Sequence, residues 1–179
     1  MANDFWVIGP TEDAGLAGFV PAQPPAVKYR FIELGRIDAG WRLPFGWSHR
    51  GDADLPDWLG TVHDIRLVSR RFREVVEPLL GEGDEIEWID APFTGFDGVE
   101  HEYFIPHFAS TFDMYDETYT DWGPSGLPIR WVLSRAKLDR HALFAPFGVG
   151  VVMIARDDVA TAMKNAGLRG IAYRPPRIE

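Results

Sequence analysis

Residues 61–108 read TVHDIRLVSRRFREVVEPLLGEGDEIEWIDAPFTGFDGVEHEYFIPHF, and three different periodicities follow one another inside this stretch. Thr61–Val68 has strand character, with Val62 facing opposite Ile65 and Leu67. Ser69 is a good helix N-cap, because its hydroxyl can accept from an otherwise orphaned backbone N–H. Behind it Phe72, Val75, Val76 and Leu79 fall at i, i+3, i+4 and i+7, one apolar stripe on a helix over Arg70–Leu80. Gly81 is a plausible stop, and Gly81-Glu82-Gly83-Asp84 makes the turn. Glu85–Phe93 then alternates: Glu85 and Glu87 on one side, Ile86 and Trp88 on the other, a half-buried strand with a carboxylate face. Asp97-Gly98 is the strongest hairpin signal in the chain, and Glu102–Phe108 is the returning strand.

The flanks extend this pattern. Ser110–Trp122 mixes acids and aromatics, and its periodicity leaves open a strand with an acidic loop or a short helical turn. Ile129–Val132, Leu143–Phe147 and Gly150–Ile154 are apolar and β-rich. Ala155–Asn165 is a helix with acids in its first turn and Val159, Ala162 and Met163 as its stripe; Gly167 ends it, and Ile171–Tyr173 is a last strand. Toward the N-terminus, Phe5–Ile8 is a strand closed by Gly9-Pro10, followed by a loop running to Pro25. Val27–Leu34 alternates as a strand. Gly35–Gly60 reads as irregular, with Trp41, Phe45, Trp47 and Trp58 spread among Gly, Pro and Asp. The helices do not recur in strand–helix–strand units. The expectation is therefore α+β, with a mostly antiparallel or mixed sheet and two main helices. A single domain is expected over residues 1–179, loop-rich across residues 1–60 and with its core across residues 61–179.

Composition narrows the function. The 179 residues are 46% hydrophobic and 13% aromatic, ample to bury against the entropy of ordering, so disorder is not expected. There is no cysteine, which removes disulfides, thiolate catalysis and Cys-ligated zinc. The N-terminus carries no secretory pattern, and the longest apolar run, Ala145–Ala155, is about half the ~20 residues a membrane span needs. A cytoplasmic protein without a membrane partner is expected. Net charge is −9, unevenly spread. From Glu74 to Ile129 there are 14 acids and not one Lys or Arg. Such a field repels nucleic acid and attracts cationic surfaces.

Motifs for chemistry are scarce. No phosphate loop, dinucleotide fingerprint or Gly-x-Ser-x-Gly elbow is present, and no catalytic residue or cofactor is expected. His101 and His107 would share a strand face but lie roughly 20 Å apart at strand rise, too far to chelate one ion. Asp113, Asp116, Glu117 and Asp121 lack the ligand alternation and central Gly of a calcium loop, so no metal site is expected. What stands out is aromatics among acids: Asp113, Tyr115, Asp116, Glu117, Tyr119, Asp121 and Trp122. Tyr and Trp are favoured interface anchors, and carboxylates complement a Lys/Arg-rich surface. These seven are the candidate partner-binding residues, against the plainer reading that the aromatics pack the core while the acids face water. A carboxylate pair with Trp platforms, in a small hydrolase or carbohydrate-binding protein, is the alternative.

Three segments carry a likeness: Leu67–Glu77 with the charged strand leading to Pro92 and Tyr103-Phe104-Ile105-Pro106; Phe112–Thr118; and Val152–Val159 with Ala166–Tyr173. In order and character, from about Thr61 to Pro176, they resemble a family of immunity proteins from bacterial polymorphic-toxin systems, the group typified by a myxobacterial immunity protein. The resemblance implies a non-enzymatic protein that neutralises a cognate toxin domain by tight binding. No family binding residue carries over, so the site residues rest on charge and aromatics alone.

Overall fold

The computed structural model describes residues 4–19, 44–49, 55–62, 64–109, 113–138, 140–146 and 151–179. The expected strand Val27–Leu34 lies outside them. The class is α+β, with a large curled mixed sheet and two helices of seven or more residues. The elements are β1 (Phe5–Pro10), a 3-10 turn (Glu12–Ala14), β2 (Leu16–Phe19), β3 (Phe45–His49), β4 (Trp58–Thr61), β5 (Leu67–Ser69) and α1 (Arg70–Val76), which tightens into a 3-10 turn over Glu77–Leu79. There follow β6 (Ile86–Asp90), β7 (Phe93–Thr94), β8 (Glu100–His101), β9 (Tyr103–Phe108), β10 (Asp121–Trp122), β11 (Pro128–Arg130), a short α2 (Arg135–Leu138), β12 (Leu143–Phe144), β13 (Met153–Arg156), α3 (Asp157–Asn165) and β14 (Ile171–Arg174).

The Asp-Gly hairpin organises the larger sheet. Gly95 N donates to Val99 O (2.9 Å) and Gly98 N to Gly95 O (3.1 Å), with Gly98 at φ 77, a three-residue loop whose left-handed position favours glycine. From this turn β7 runs back through Ala91-Pro92 into β6, and β8 runs on through Glu102 into β9. The antiparallel register is unbroken from Thr94↔Glu100 to Ile86↔Phe108. The strand order β6-β9-β5-β4-β2-β3-β7-β8 therefore starts and ends on one ribbon, and the sheet closes into a small barrel. Parallel pairs β2–β4 and β3–β7 make it mixed. Its interior is filled by Ala17, Phe45, Leu59, Ile65, Leu67, Ile89, Ala91, Phe93, Tyr103 and Ile105.

The remaining elements form a second unit around the antiparallel sheet β12-β13-β1-β14. On one face α1 and α3 pack with the outer wall of the barrel: Trp58 and Val68 of the barrel meet Phe72, Val76, Val159 and Met163 of the helices. Trp58 and Phe72 pack edge to face, centroids 5.8 Å apart. On the other face Phe5, Phe144 and Ile154 pack against Met114, Tyr115, Leu133 and Leu138. Ser69 caps α1 as the sequence predicts, its Oγ accepting from Phe72 N at 3.1 Å.

Polar ties join the two units. Asp57 accepts from Ser69 Oγ (2.7 Å) and from Arg169 N (2.8 Å), and its own N–H donates to Arg169 O (2.9 Å). Gly170 has φ 77, and a Cβ there would lie 2.6 Å from Pro56 Cβ and 2.7 Å from Trp58 O. Only glycine lets the two backbones approach this closely.

Several expectations are corrected. The loop expected after β1 holds the 3-10 turn and β2, and the irregular Gly35–Gly60 region contributes β3 and β4 where it is described. Of the aromatics on those strands, Phe45 and Trp58 are buried and Trp47 is half-buried, so strand burial rather than loop display explains the first two. Thr61–Val68 is not one strand. Thr61 Oγ1 accepts from Ile65 N (2.8 Å) and donates to Ile65 O (3.0 Å), and Asp64 takes φ 57, so the chain turns and β5 pairs back on β4.

Candidate partner-binding surface

Residues 113–133 fold as a strap with one buried and one exposed margin. Met114 and Tyr115 enter the core beside Phe5 and Ile154, and Tyr115 bridges Leu133, which in turn bridges Ile178. Asp116 N donates to Val132 O (2.8 Å). Thr120, buried below, pins the same residue twice: its Oγ1 donates to Val132 O and accepts from Val132 N, both at 3.1 Å. Between these pins the chain must turn, and the Asp116 carboxylate makes the turn by accepting from Thr118 N (2.9 Å) and Tyr119 N (3.2 Å). This is local capping by an Asp side chain.

Beyond Thr120 the chain leaves the core as the hairpin β10–β11. Gly123 N donates to Leu127 O (2.8 Å) and Gly126 N to Gly123 O (3.0 Å); Gly126 takes φ 75. Pro124-Ser125 are the central turn residues, as proline's fixed φ suits the first of these positions. The hairpin carries Trp122 (44% exposed), Leu127 and Ile129 (73% exposed), and Tyr119 is exposed beside it. A scattered exposed apolar residue needs no explanation, but three on one ten-residue hairpin mark a surface that gains free energy when covered. The Trp122 ring rests edge to face on Tyr115, centroids 5.4 Å apart, and Arg177 lies over the Tyr119 ring.

The seven predicted residues therefore divide. Tyr115 is 2% exposed and cannot touch a partner; burial pushes its hydroxyl up to about 12. Tyr119, Trp122, Asp113, Glu117 and Asp121 are exposed, and Asp116 is half-buried. Two of the acids are already paired within the chain: Asp121 with Arg130 (3.0 Å) and Asp113 with Lys137. The same holds for Glu74 on α1 and Glu77 in the 3-10 turn after it, bound to Arg70 and Arg73, and for Glu102, bound to Arg70. Cations from outside the acidic segment thus neutralise some of its charge. Sequence reasoning did not single out Leu127, and read Ile129 only as the start of an apolar, β-rich run; both are exposed. Gly123-Pro124-Ser125-Gly126 between Trp122 and Leu127 was the signal that could have placed them on a hairpin.

The chain matches no protein-family model and no curated protein.

Other candidate sites are less developed. A cleft of about 340 Å³ is lined by Asp90, Pro92, Glu100, His101 and Glu102. His107 is buried, 4.0 Å from Glu87. Among the described residues no three His, Asp or Glu side chains are placed to share an ion. Trp58 is wholly buried, and Trp47 is stacked on Phe96, centroids 6.2 Å apart, so Trp58 offers no platform to a sugar ring and Trp47 has a face occupied. Among the described residues no helix is long and apolar enough to cross a membrane.

Proposed function

We propose that this protein acts by binding another protein rather than by catalysis, and that it is a bacterial immunity protein which neutralises a cognate toxin domain in the cytoplasm. The observation that carries the reading is the β10–β11 hairpin, which exposes Trp122, Leu127 and Ile129 while the Trp122 ring rests on the buried Tyr115. Aromatic anchors of this kind dominate binding energy at protein interfaces, and covering one large apolar side chain contributes about 1.5–3 kcal/mol. The net charge of −9 favours a basic toxin such as a nuclease, since opposite fields raise association rates. The likeness of residues 61–176 to polymorphic-toxin immunity proteins supports the same reading.

The test is growth rescue. The gene beside this one in its genome of origin is expressed in a bacterial host, alone and with this protein. The reading expects growth arrest relieved by the wild-type protein and not by Trp122→Ala/Ile129→Ala. A neighbour that is harmless, or rescue undiminished in the double variant, would count against it. So would stabilisation by a sugar or metal ion in a thermal-shift screen, which belongs to an enzyme or carbohydrate-binding protein.

A further inference from the structure

The strap that carries the candidate surface is held from behind by residues 177–179, and what this hold controls is inferred on the binding reading above. β14 ends at Arg174, and Pro175-Pro176, with φ fixed by their rings, carry the chain on to Leu133. Leu133 N donates to Arg177 O (2.9 Å), Glu179 N to Leu133 O (3.0 Å) and Arg135 N to Glu179 O (2.9 Å). Leu133 is wholly buried, so residues 177–179 satisfy two backbone groups that water cannot reach. On its other side Leu133 bridges Tyr115, while Ser134 N donates to Met114 O (2.9 Å) and Asp116 N to Val132 O (2.8 Å). Residues 132–134 are thus the middle of three rungs, with the strap on one side and residues 177–179 on the other.

Side chains add to the hold. Ile178 packs half-buried on the cluster that contains Met114 and Tyr115, and Arg177 lies over the Tyr119 ring. None of these partners belongs to the barrel interior. Segments that share few contacts with the rest of a fold open as units, at lower free energy than the whole. We propose that residues 177–179 are a clasp. While they pair with Leu133 the strap and its hairpin are presented for binding; when they peel away the strap opens as one unit and the barrel stays intact. The hold is made by the main chain, so the Glu179 carboxylate is dispensable to it. A partner that binds the closed strap therefore also tightens a clasp it does not touch.

Amide hydrogen exchange of the full chain, followed by NMR in low urea, tests this first in the wild type. The N–H groups of Asp116, Leu133 and Ser134 should exchange through one shared opening. That opening should be at least tenfold more frequent than the one that frees Ala91 of the barrel, whose N–H donates to Tyr103 O. Glu179→Pro removes the N–H that holds Leu133 O and should speed the three strap amides at least tenfold; Glu179→Ala keeps it and should stay within threefold. Asp57→Ala, which loosens a tie the opened form retains, should speed Ala91 at least tenfold and the strap amides less than threefold. With the product of the neighbouring gene bound, the strap amides should slow at least tenfold. The proposal is overturned if the strap amides open only together with Ala91, or if Glu179→Pro leaves them unchanged. It is overturned equally if Glu179→Ala speeds them as much as Glu179→Pro, or if a bound partner slows Ala91 and not the strap. Should the neighbour's product fail to bind at all, the immunity reading falls, while the exchange of the free protein still decides the clasp.

Discussion

Tyr115 and Trp122 meet at nearly a right angle, the two rings 88° apart with centroids separated by 5.4 Å, yet one is 2% exposed and the other 44%. The pair spans the boundary between the core and the hairpin. Truncating the two residues should therefore give opposite outcomes. Tyr115→Ala leaves a cavity beside Met114 and Leu133 and should cost about 3–5 kcal/mol, the range for large aromatic truncations in cores. Trp122→Ala should cost under about 1 kcal/mol in stability, as surface changes do, and weaken partner binding instead. Urea melts of the two variants make the comparison; equal losses would mean that Trp122 is a core residue.

Gly170 and Gly126 both take positive φ, 77° and 75°, but only the first is crowded. Gly126→Ala meets open space and should lose roughly 1 kcal/mol from backbone conformation alone. Gly170→Ala adds a clash with Pro56 and Trp58 and should lose considerably more. Thermal melts that rank the two in the reverse order would refute the close approach as the reason for glycine at position 170.

Asp57 serves Ser69 and Arg169 N at once. Removing a buried acceptor strands its donors, at about 1–3 kcal/mol each. Asp57→Ala should therefore destabilise more than Ser69→Ala, for which about 1 kcal/mol is expected from the lost cap. In a double-mutant cycle the losses should be less than additive, because the two side chains share a bond. Strict additivity would show that they act independently.

Three tyrosines ionise late for the same reason, burial: Tyr103, pushed well above its ordinary value, and Tyr115 and Tyr173, each pushed up to about 12. In the unfolded chain they ionise near 10. A raised acid holds its proton in the folded state, so the unfolded state binds fewer protons above pH 10, and stability falls as pH rises from there toward 12. Absorbance of tyrosinate should show a late, cooperative step coinciding with loss of tertiary circular dichroism. A smooth titration of all five tyrosines near pH 10 in folded protein would contradict the burial.

The Tyr173 hydroxyl is buried without a hydrogen-bond partner, while its ring lies under the Lys164 ammonium, 4.7 Å from the centroid. Tyr173→Phe keeps the ring and removes the orphaned group. Stability should hold or rise slightly; a drop in melting temperature would point to a bridging water.

How much of this was legible in sequence depended on range. The Ser69 cap, the Phe72–Val76 stripe, the Asp97-Gly98 turn and the Val159–Met163 stripe are local signals, and each reads correctly because its partners lie within four residues. β3 and β4 were missed because their burial comes from distant strands: Phe45 pairs with Phe93 and Trp58 with Val68. A short run among Gly and Pro gives no hint of that. Thr61 broke an apparent strand through one side chain bonding four residues on. At the candidate site, Tyr119 and Trp122 were legible as exposed aromatics among acids. Tyr115 was not separable from them, since which aromatic turns inward depends on Leu133 across the bridge.

β1 lies between β13 and β14, and this has a consequence for synthesis. Residues 5–10 find their neighbours only when residues 153–174 have been made. At about 5–20 residues per second, that delay is on the order of ten to thirty seconds. Throughout it Phe5 and Ile8, later buried, have no sheet to join, whereas the barrel's ribbon can zip from its own turn as it emerges. A nascent chain of this kind is a customer for chaperones at its beginning and self-sufficient in its middle. Truncations near residue 174 should therefore be felt first at Val7 and Ile8, which pair with Arg174 and Tyr173.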